Sequence, residues 1–396
     1  MPMLKVPIHG DTLAWGLRRS RLAPAELARR VGVTPERLEA WQRGDDQPTY
    51  RQATELARHL GMPFPALLVP PPERVTLPLR DLRRGPAKGR EPSPELLEAI
   101  YDALRKRDWF RDRRLEPLPF VGSIALNNMP DVAARSISKQ IPVHELQERS
   151  GSWEDFLRRL VRATEESGVL VLRQGFVGAN TRRTYDPEEF SGFAIVDRKA
   201  PIIFLNARDP VSRQVFTLAH ELVHVWLGES GVDGPLDPTS AEAMQAGEET
   251  AQQVERFADR VAAELLMPKR MFERVWHERV VEKPATEVVQ EVARTFRVSR
   301  WAALRRAREL GLLSAEEYIH ALDRLLTERN NSEQAREAGG GDFWATFKVR
   351  NSPTFTQEVT RAAREGEIDL KEAAVLLNVS LATVLTFLEK QTHVSA

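Results

Sequence analysis

The chain contains no cysteine among its 396 residues. Disulfide bonds and thiolate metal sites are therefore excluded, and any metal site must use histidine and carboxylate ligands. Long apolar runs are also missing, because no stretch of about 18 apolar residues is available for a transmembrane helix. The first residues, Met1 to Val6, lack the apolar run of a signal peptide. We therefore expect a cytoplasmic protein with no membrane partner.

An excess of charge of one sign is absent as well. Lys plus Arg and Asp plus Glu both total 57, so no overall field favours nucleic acid. Any DNA binding would need a local patch of positive charge. The hydrophobic share of 42% and the charged share of 29% are typical of a globular protein. A chain of this length can form two or three domains, each with its own core.

One helical stretch carries the strongest motif of the chain, His220-Glu221-Leu222-Val223-His224. Side chains four residues apart lie on one face of a helix, so both imidazoles can reach a single metal ion. Glu221 follows the first histidine, where its carboxylate could take a proton from a water molecule on the metal. The flanking residues are apolar almost all round, as in a buried helix. The alternative is a pair of ordinary surface or core histidines.

A catalytic zinc site needs three protein ligands and one open position. The next helical stretch, Glu248 to Met267, places Glu255 and Asp259 four residues apart on one face. Glu255 is the candidate third ligand. Asp259 would accept a hydrogen bond from a ligand histidine and so fix its tautomer. Without the first motif, these two acids would indicate only a solvated helix face.

Two further segments follow the His-Glu-Leu-Val-His motif, Glu255-x-x-Ala258-Asp259 and Glu264-Leu265-Leu266-Met267-Pro268. Together the three segments resemble the ImmA/IrrE metallo-endopeptidases, a family with a small zincin-type domain that cuts transcriptional repressors. The resemblance covers about residues 150–310, and most of the chain in members that are fused to a helix-turn-helix. The family usually has Asn after the alanine. The aspartate here is similar to the Glu-x-x-x-Asp signature of thermolysin-like gluzincins.

The resemblance implies a zinc-dependent endopeptidase in which His220, His224 and Glu255 hold Zn²⁺ and Glu221 is the general base. It implies a protein substrate, either a repressor or an antitoxin-like partner, whose cleavage switches on a stress, mobile-element or toxin response. A toxin encoded nearby is a further candidate partner. The competing interpretation is a non-enzymatic DNA-binding regulator, or an antitoxin, whose zinc domain serves stability or docking. The intact Glu221 favours the enzyme, because a purely structural zinc site needs no base.

Residues 1–72 have the spacing of a helix-turn-helix. After a first amphipathic segment, a second helix would begin with Thr34 as its N-cap and Pro35 in its first turn. The segment resembles the repressor-type (XRE) helix-turn-helix, whose second helix enters the major groove of double-stranded DNA. The resemblance implies DNA contacts from Thr34, Arg37, Gln42 and Arg43. Glu36 and Glu39 on the same helix oppose phosphate binding, so a helical docking module without DNA affinity is the alternative.

We predict an α+β fold that is mostly helical. A helix-turn-helix bundle is followed by a connecting helical segment, the peptidase domain, a linker and a C-terminal helical module. Their predicted ranges are 1–72, 73–150, 151–325, 326–342 and 343–396. The C-terminal module again has helix-turn-helix spacing, at Ala373 to Val384, but its second helix has almost no positive charge. We therefore expect the C-terminal module to bind a protein or to act as a lid, and not to recognise DNA.

The peptidase domain is predicted to be zincin-like, with a small sheet of three or four strands below the helix that carries His220 and His224. A continuous apolar run, Val169 to Leu172, predicts a buried strand. The segments Phe190 to Val196 and Ile202 to Leu205 predict a hairpin. Tyr185 and His277 are candidate donors to the oxyanion, although a packed aromatic ring and a surface histidine are the favoured explanations.

Overall fold

The structure is a computed structural model that describes residues 5–20, 22–73, 75, 77–82, 90–233, 249–280, 284–333 and 350–392. The chain divides into two compact units. The first consists of residues 1–78 and 89–102, and the second of residues 79–88 and 103–396. Both are mostly helical, and the strands of the sheet all belong to the second unit. The predicted α+β class is thereby confirmed.

Four α-helices and a short 3-10 helix make up the described part of the first unit up to residue 78. They are α1 (Gly10–Ser20), α2 (Pro24–Val31), α3 (Pro35–Arg43), α4 (Tyr50–His59) and the 3-10 helix Phe64–Leu68. The predicted start of α3 is confirmed, because the Thr34 hydroxyl accepts a hydrogen bond from the backbone N–H of Arg37 at 3.4 Å. Leu38 and Trp41 on the same helix are buried in the core of the unit. The assignment of these helices to a repressor-type helix-turn-helix stays a prediction.

The second unit contains the sheet and the remaining helices. Helix α5 (Pro94–Arg111) begins in the first unit and ends in the second. The next elements along the chain after α5 are α6 (Pro130–Ser138), α7 (Val143–Glu148), α8 (Trp153–Glu166), β2 (Leu170–Gln174), β3 (Gly192–Ile195), β4 (Ile202–Asn206), α9 (Val211–Leu227), β5 (Gly231–Asp233) and α10 (Glu249–Leu266). Strand β1 (Arg80–Leu82) precedes them in the chain. After α10 come α11 (Lys269–Val280), α12 (Ala285–Thr295), α13 (Arg300–Glu309), α14 (Ala315–Glu333), α15 (Pro353–Arg364), α16 (Leu370–Leu377) and α17 (Leu381–Thr392).

The strands form one mixed sheet in the order β1-β5-β3-β4-β2. The predicted hairpin is confirmed, because β3 pairs antiparallel with β4. The predicted buried strand is confirmed as β2, which lies parallel to β4. Two strands of only three residues, β1 and β5, extend the sheet beyond β3. All side chains of β3 and β4 are buried, as expected for strands that are covered on both faces.

Helix α9 lies against β3 and β4 and is enclosed by α8 and α10. From Gln214 to Trp226 nearly every side chain is buried, which confirms the prediction of a buried helix. The C-terminal carbonyl groups of α9 would lack partners within the helix. The segment before α6 supplies them, because the N–H groups of Gly122 and Ile124 donate to the carbonyls of Val225 and Trp226 at 3.2 Å and 3.1 Å. Hydrogen bonds from the segment before α6 therefore hold the C-terminal end of α9 in place.

The C-terminal helices α15 to α17 are attached to β2 and α8 through the segment 350–354. Gln174 donates from Nε2 to the carbonyl of Arg350 at 3.1 Å, and the N–H of Thr354 donates to Oε2 of Glu165 at 2.9 Å. Helix α14 reaches Glu333, so the first part of the predicted linker 326–342 is helical. The rest of that linker, with its three glycines, lies outside the described residues.

No single helix in the described ranges combines the length and the apolar character needed to cross a membrane. Helices α16 and α17, taken together up to Leu388, pass that test of length and composition as a pair bent by 101°.

Candidate metal centre

The predicted ligands meet where α9 packs on α10. Helix α9 presents His220 and His224 one turn apart, and α10 presents Glu255 and Asp259 in the same way. These four residues and Glu221 are at most 4% exposed. Burial of so many ionisable groups in one place is unfavourable unless they are paired or hold a metal ion. The interface between the two helices is therefore built around a polar centre.

The distances between the candidate ligand atoms fit one small cation. Nε2 of His220 lies 3.0 Å from Nε2 of His224 and 3.4 Å from Oε2 of Glu255. Nε2 of His224 lies 3.2 Å from Oε1 of Glu255. A tetrahedral zinc ion with bonds of about 2.0–2.1 Å would hold its ligand atoms about 3.3–3.4 Å apart. The predicted set of two imidazoles and one carboxylate is thus brought together as a group that could hold a metal ion.

The surroundings of Glu255 and of His220 favour the forms in which these side chains bind a metal ion. Burial raises the pKa of Glu255, but the hydrogen bonds and charges of His220 and His224 outweigh it and hold the pKa well below its usual value. Nδ1 of His220 lies 3.1 Å from Oδ1 of Asp259. A proton on Nδ1 is stabilised by that carboxylate, which leaves the lone pair on Nε2. Two Nε2 lone pairs 3.0 Å apart repel each other unless a cation or a proton lies between them.

Asp259 occupies the supporting position that its spacing predicts. Its Oδ1 faces His220, and its Oδ2 lies 3.6 Å from Nη2 of Arg305 on α13. The arginine was not foreseen, because α13 begins more than 40 residues after Asp259 and only the folded chain brings them together. The guanidinium favours the charged form of Asp259, and the charged form is the better acceptor for an imidazole N–H.

We expect Asp259→Ala to weaken zinc binding about 10–100-fold, because the variant loses the acceptor that orients His220. Asp259→Asn keeps a hydrogen-bond acceptor and should lose less. Competition with a chromophoric chelator measures both affinities. Equal affinity in the wild type and the alanine variant would show that Asp259 does not support the histidine.

Gly192 on β3 allows the metal helix to approach the sheet. A Cβ atom at this position would lie 2.6 Å from Cγ2 of Thr217 and 2.7 Å from the backbone oxygen of Phe204. It would also lie 3.3 Å from Oε1 of Glu221, so the glycine forms part of the wall beside the candidate base. Both contacts under 3.0 Å require movement, and a backbone oxygen within the sheet moves with difficulty. A glycine in a strand is a sign of close approach by another element.

We expect Gly192→Ala to lower the free energy of unfolding of the second unit by about 1–3 kcal/mol through overpacking. Urea denaturation followed by circular dichroism measures the change. Gly175→Ala is the matched control, because a Cβ there would have its nearest contact at 3.6 Å, an ordinary van der Waals distance. A loss of stability that is the same in both variants would contradict the role given to Gly192.

The four side chains predicted to contact DNA lie on or beside α3, and three of them have partners within the first unit. Thr34 caps the helix. The guanidinium of Arg37 donates to Asp46 at 3.1 Å, and that of Arg43 donates to Asp45 at 2.8 Å. Gln42 is partly buried. Acidic partners reduce the positive charge that the helix offers to phosphate groups, and DNA binding stays a prediction.

The two candidate oxyanion donors have the surroundings that the favoured explanations predict. Tyr185 is buried against Phe190 and Phe204, and its hydroxyl donates to Oε1 of Gln174 at 3.4 Å. His277 is exposed on α11, with Nδ1 2.6 Å from the carbonyl oxygen of Glu273. The packed aromatic ring and the surface histidine are therefore the correct interpretations.

The paired helices bring together a buried His-His-Glu cluster that could hold a metal ion, with a further buried glutamate beside it. Residues 164–308 match the family model Peptidase_M78, described as the IrrE N-terminal-like domain. The match covers 145 of the 396 residues, from the end of α8 to α13, and includes both metal helices. It supports the predicted ImmA/IrrE-type domain and does not extend to the first unit. No curated protein matches the chain.

Proposed function

We propose that the chain is a zinc-dependent endopeptidase that cuts a repressor-like or antitoxin-like protein and thereby switches on a stress, mobile-element or toxin response. One observation carries the proposal: His220, His224 and Glu255 converge on one point, and the next residue in the chain after His220 is a buried glutamate. A purely structural site would gain nothing from burying that additional carboxylate, because an isolated buried charge is unfavourable.

The residues fit the requirements of a zinc ion in a hydrolytic enzyme. When bound, zinc supplies Lewis acidity to a peptide carbonyl group and to an attacking water molecule. The two histidines and Glu255 would provide three protein ligands, the number found in catalytic zinc sites that also bind substrate or water. Asp259 holds His220 in the tautomer that coordinates.

Glu221 carries the proton transfers. Its carboxylate accepts a proton from the attacking water and later delivers that proton to the nitrogen of the leaving amine. Oε1 of Glu221 lies over Gly192, where no side chain intervenes between the carboxylate and β3. The surrounding helices and sheet exclude bulk water, which strengthens the electrostatic interactions within the site.

The proposal is tested by comparing protein N-termini in cells that express the wild type or Glu221→Gln. We expect new N-termini from a repressor-like or antitoxin-like protein with the wild type and none with the variant. Glu154→Gln removes an exposed carboxylate from α8 of the same unit and should behave as the wild type. If the wild type and Glu221→Gln give the same N-termini, the chain is not a peptidase, and the non-enzymatic regulator becomes the better interpretation.

A further inference from the structure

A cavity of about 510 Å³ lies beside the metal centre, between α10 and α13. It is lined by three arginines: Arg256 and Arg260 from α10 and Arg305 from α13. All three are exposed. The arginines of α10 occupy the positions directly after Glu255 and Asp259, so the cavity and the metal centre lie on neighbouring faces of one helix.

The positive charge in this cavity is only partly balanced. Arg305 lies 3.3 Å from Glu309 and 3.6 Å from Asp259. For Arg256 and Arg260, no ion pair is found among the described residues, and Nε of Arg260 donates to the backbone oxygen of Arg256 at 3.3 Å. Like charges four residues apart also repel each other on a helix. Two cations placed in this way against a cavity therefore offer their charge to a ligand.

The lining favours a peptide over a nucleic acid. Leu126 is 39% exposed and adds apolar surface, and Gln253 adds an amide that can bond to a peptide backbone. Glu309 would repel a continuous row of phosphates, whereas a peptide can present a carboxylate to the arginines and an apolar side chain to Leu126. Guanidinium groups bind carboxylates with two parallel hydrogen bonds. The volume also falls within the range of sites that hold a few side chains.

We propose that this cavity binds an acidic segment of the protein substrate. The proposal rests on the peptidase function above, because it identifies the bound segment as part of the chain that is cut. A substrate held by Arg256 and Arg260 is anchored on the helix that carries Glu255. The site therefore selects substrates with an acidic stretch near the cleaved bond.

The test measures peptide binding apart from cleavage. The full chain carries Glu221→Gln, and the probe is a fluorescein-labelled peptide of alternating Glu and Leu residues, followed by fluorescence anisotropy. We expect Arg256→Gln with Arg260→Gln to weaken binding about tenfold or more, from the loss of charge-assisted hydrogen bonds. The matched control is Arg270→Gln with Arg274→Gln, which removes an exposed pair at the same spacing from α11, outside the cavity. This control should bind as the parent does.

Three results would overturn the proposal: no binding of the acidic peptide, equal loss in both double variants, or equal binding of a peptide in which Gln replaces Glu. Tighter binding of duplex DNA with the same dependence on Arg256 and Arg260 would assign the cavity to nucleic acid instead. The outcome is separable from the peptidase function. Glu221-dependent cleavage without arginine-dependent binding rejects the cavity alone, and the reverse pattern rejects the peptidase alone.

Discussion

We expect the replacement of Glu221 with glutamine to lower the rate of the proposed peptide-bond cleavage by about 10²–10⁴-fold and to leave zinc binding unchanged. Glutamine has nearly the same shape as glutamate, so the packing beside Gly192 is preserved. Its amide cannot accept the proton of the attacking water. The ligand side chains, His220, His224 and Glu255, are unchanged. A loss of rate without a loss of metal therefore isolates proton transfer as the role of this residue.

Single-turnover cleavage of the protein identified from the new N-termini measures the rate, and elemental mass spectrometry measures the zinc. Glu221→Asp serves as a second variant. It keeps a carboxylate, but the shorter side chain places that carboxylate farther from the substrate. It should retain more activity than the glutamine variant. An unchanged rate in Glu221→Gln would remove the general base from the mechanism. A loss of zinc together with activity would show that the residue acts on the metal site and not on the proton.

Replacing Glu255 with alanine should weaken zinc binding by more than about a hundredfold, because loss of a ligand exceeds the 10–100-fold effect of losing a supporting residue. The carboxylate lies between both imidazoles, at 3.4 Å from His220 and 3.2 Å from His224. Its low pKa means that it is charged at neutral pH and needs no deprotonation before it binds a metal ion. Without it, two neutral ligands remain.

Chelator competition measures this affinity as well. Glu278→Gln is the control, since it removes an exposed acid from α11 with the same change of net charge as Glu255→Ala. Zinc binding should also raise the melting temperature of the wild type and have a much smaller effect on Glu255→Ala. Wild-type affinity in the alanine variant would mean that the third ligand lies elsewhere.

The grouping of the candidate metal ligands could be predicted from the sequence because their geometry is local. Spacing of four residues on a helix fixes which side chains share a face, and this holds for His220 with His224 and for Glu255 with Asp259. Only the meeting of the two pairs required the fold. The helix starts at Thr34, Ser93 and Ser152 were predictable for the same reason: each of the three side chains accepts a backbone hydrogen bond three residues ahead.

Features that depend on distant segments escaped prediction. Strands β1 and β5 are three residues long, too short to show the alternation of a strand, and β1 pairs with a segment about 150 residues away. Gly192 looks like an ordinary strand glycine until α9 is placed on it. Arg305 is one of many arginines in a charged helix, and only its approach to Asp259 distinguishes it.

Asp45 and Asp46 directly follow α3 in the sequence, but their ion pairs with the arginines of that helix were not predicted. Gly44 ends the helix in the left-handed region, with a φ of 81°. The chain then turns back, and Asp45 and Asp46 reach Arg43 and Arg37. A glycine followed by two aspartates after a helix with exposed arginines is the signal that could have indicated these pairs.

Anomalous diffraction from crystals of the zinc-loaded chain tests the central claim most directly, since it locates the ion against the two helices. We predict one peak per chain, about 2.0–2.1 Å from Nε2 of His220 and of His224 and about 2.0–2.2 Å from a carboxylate oxygen of Glu255. A zinc peak bound elsewhere, with these three side chains free of metal, would contradict the account.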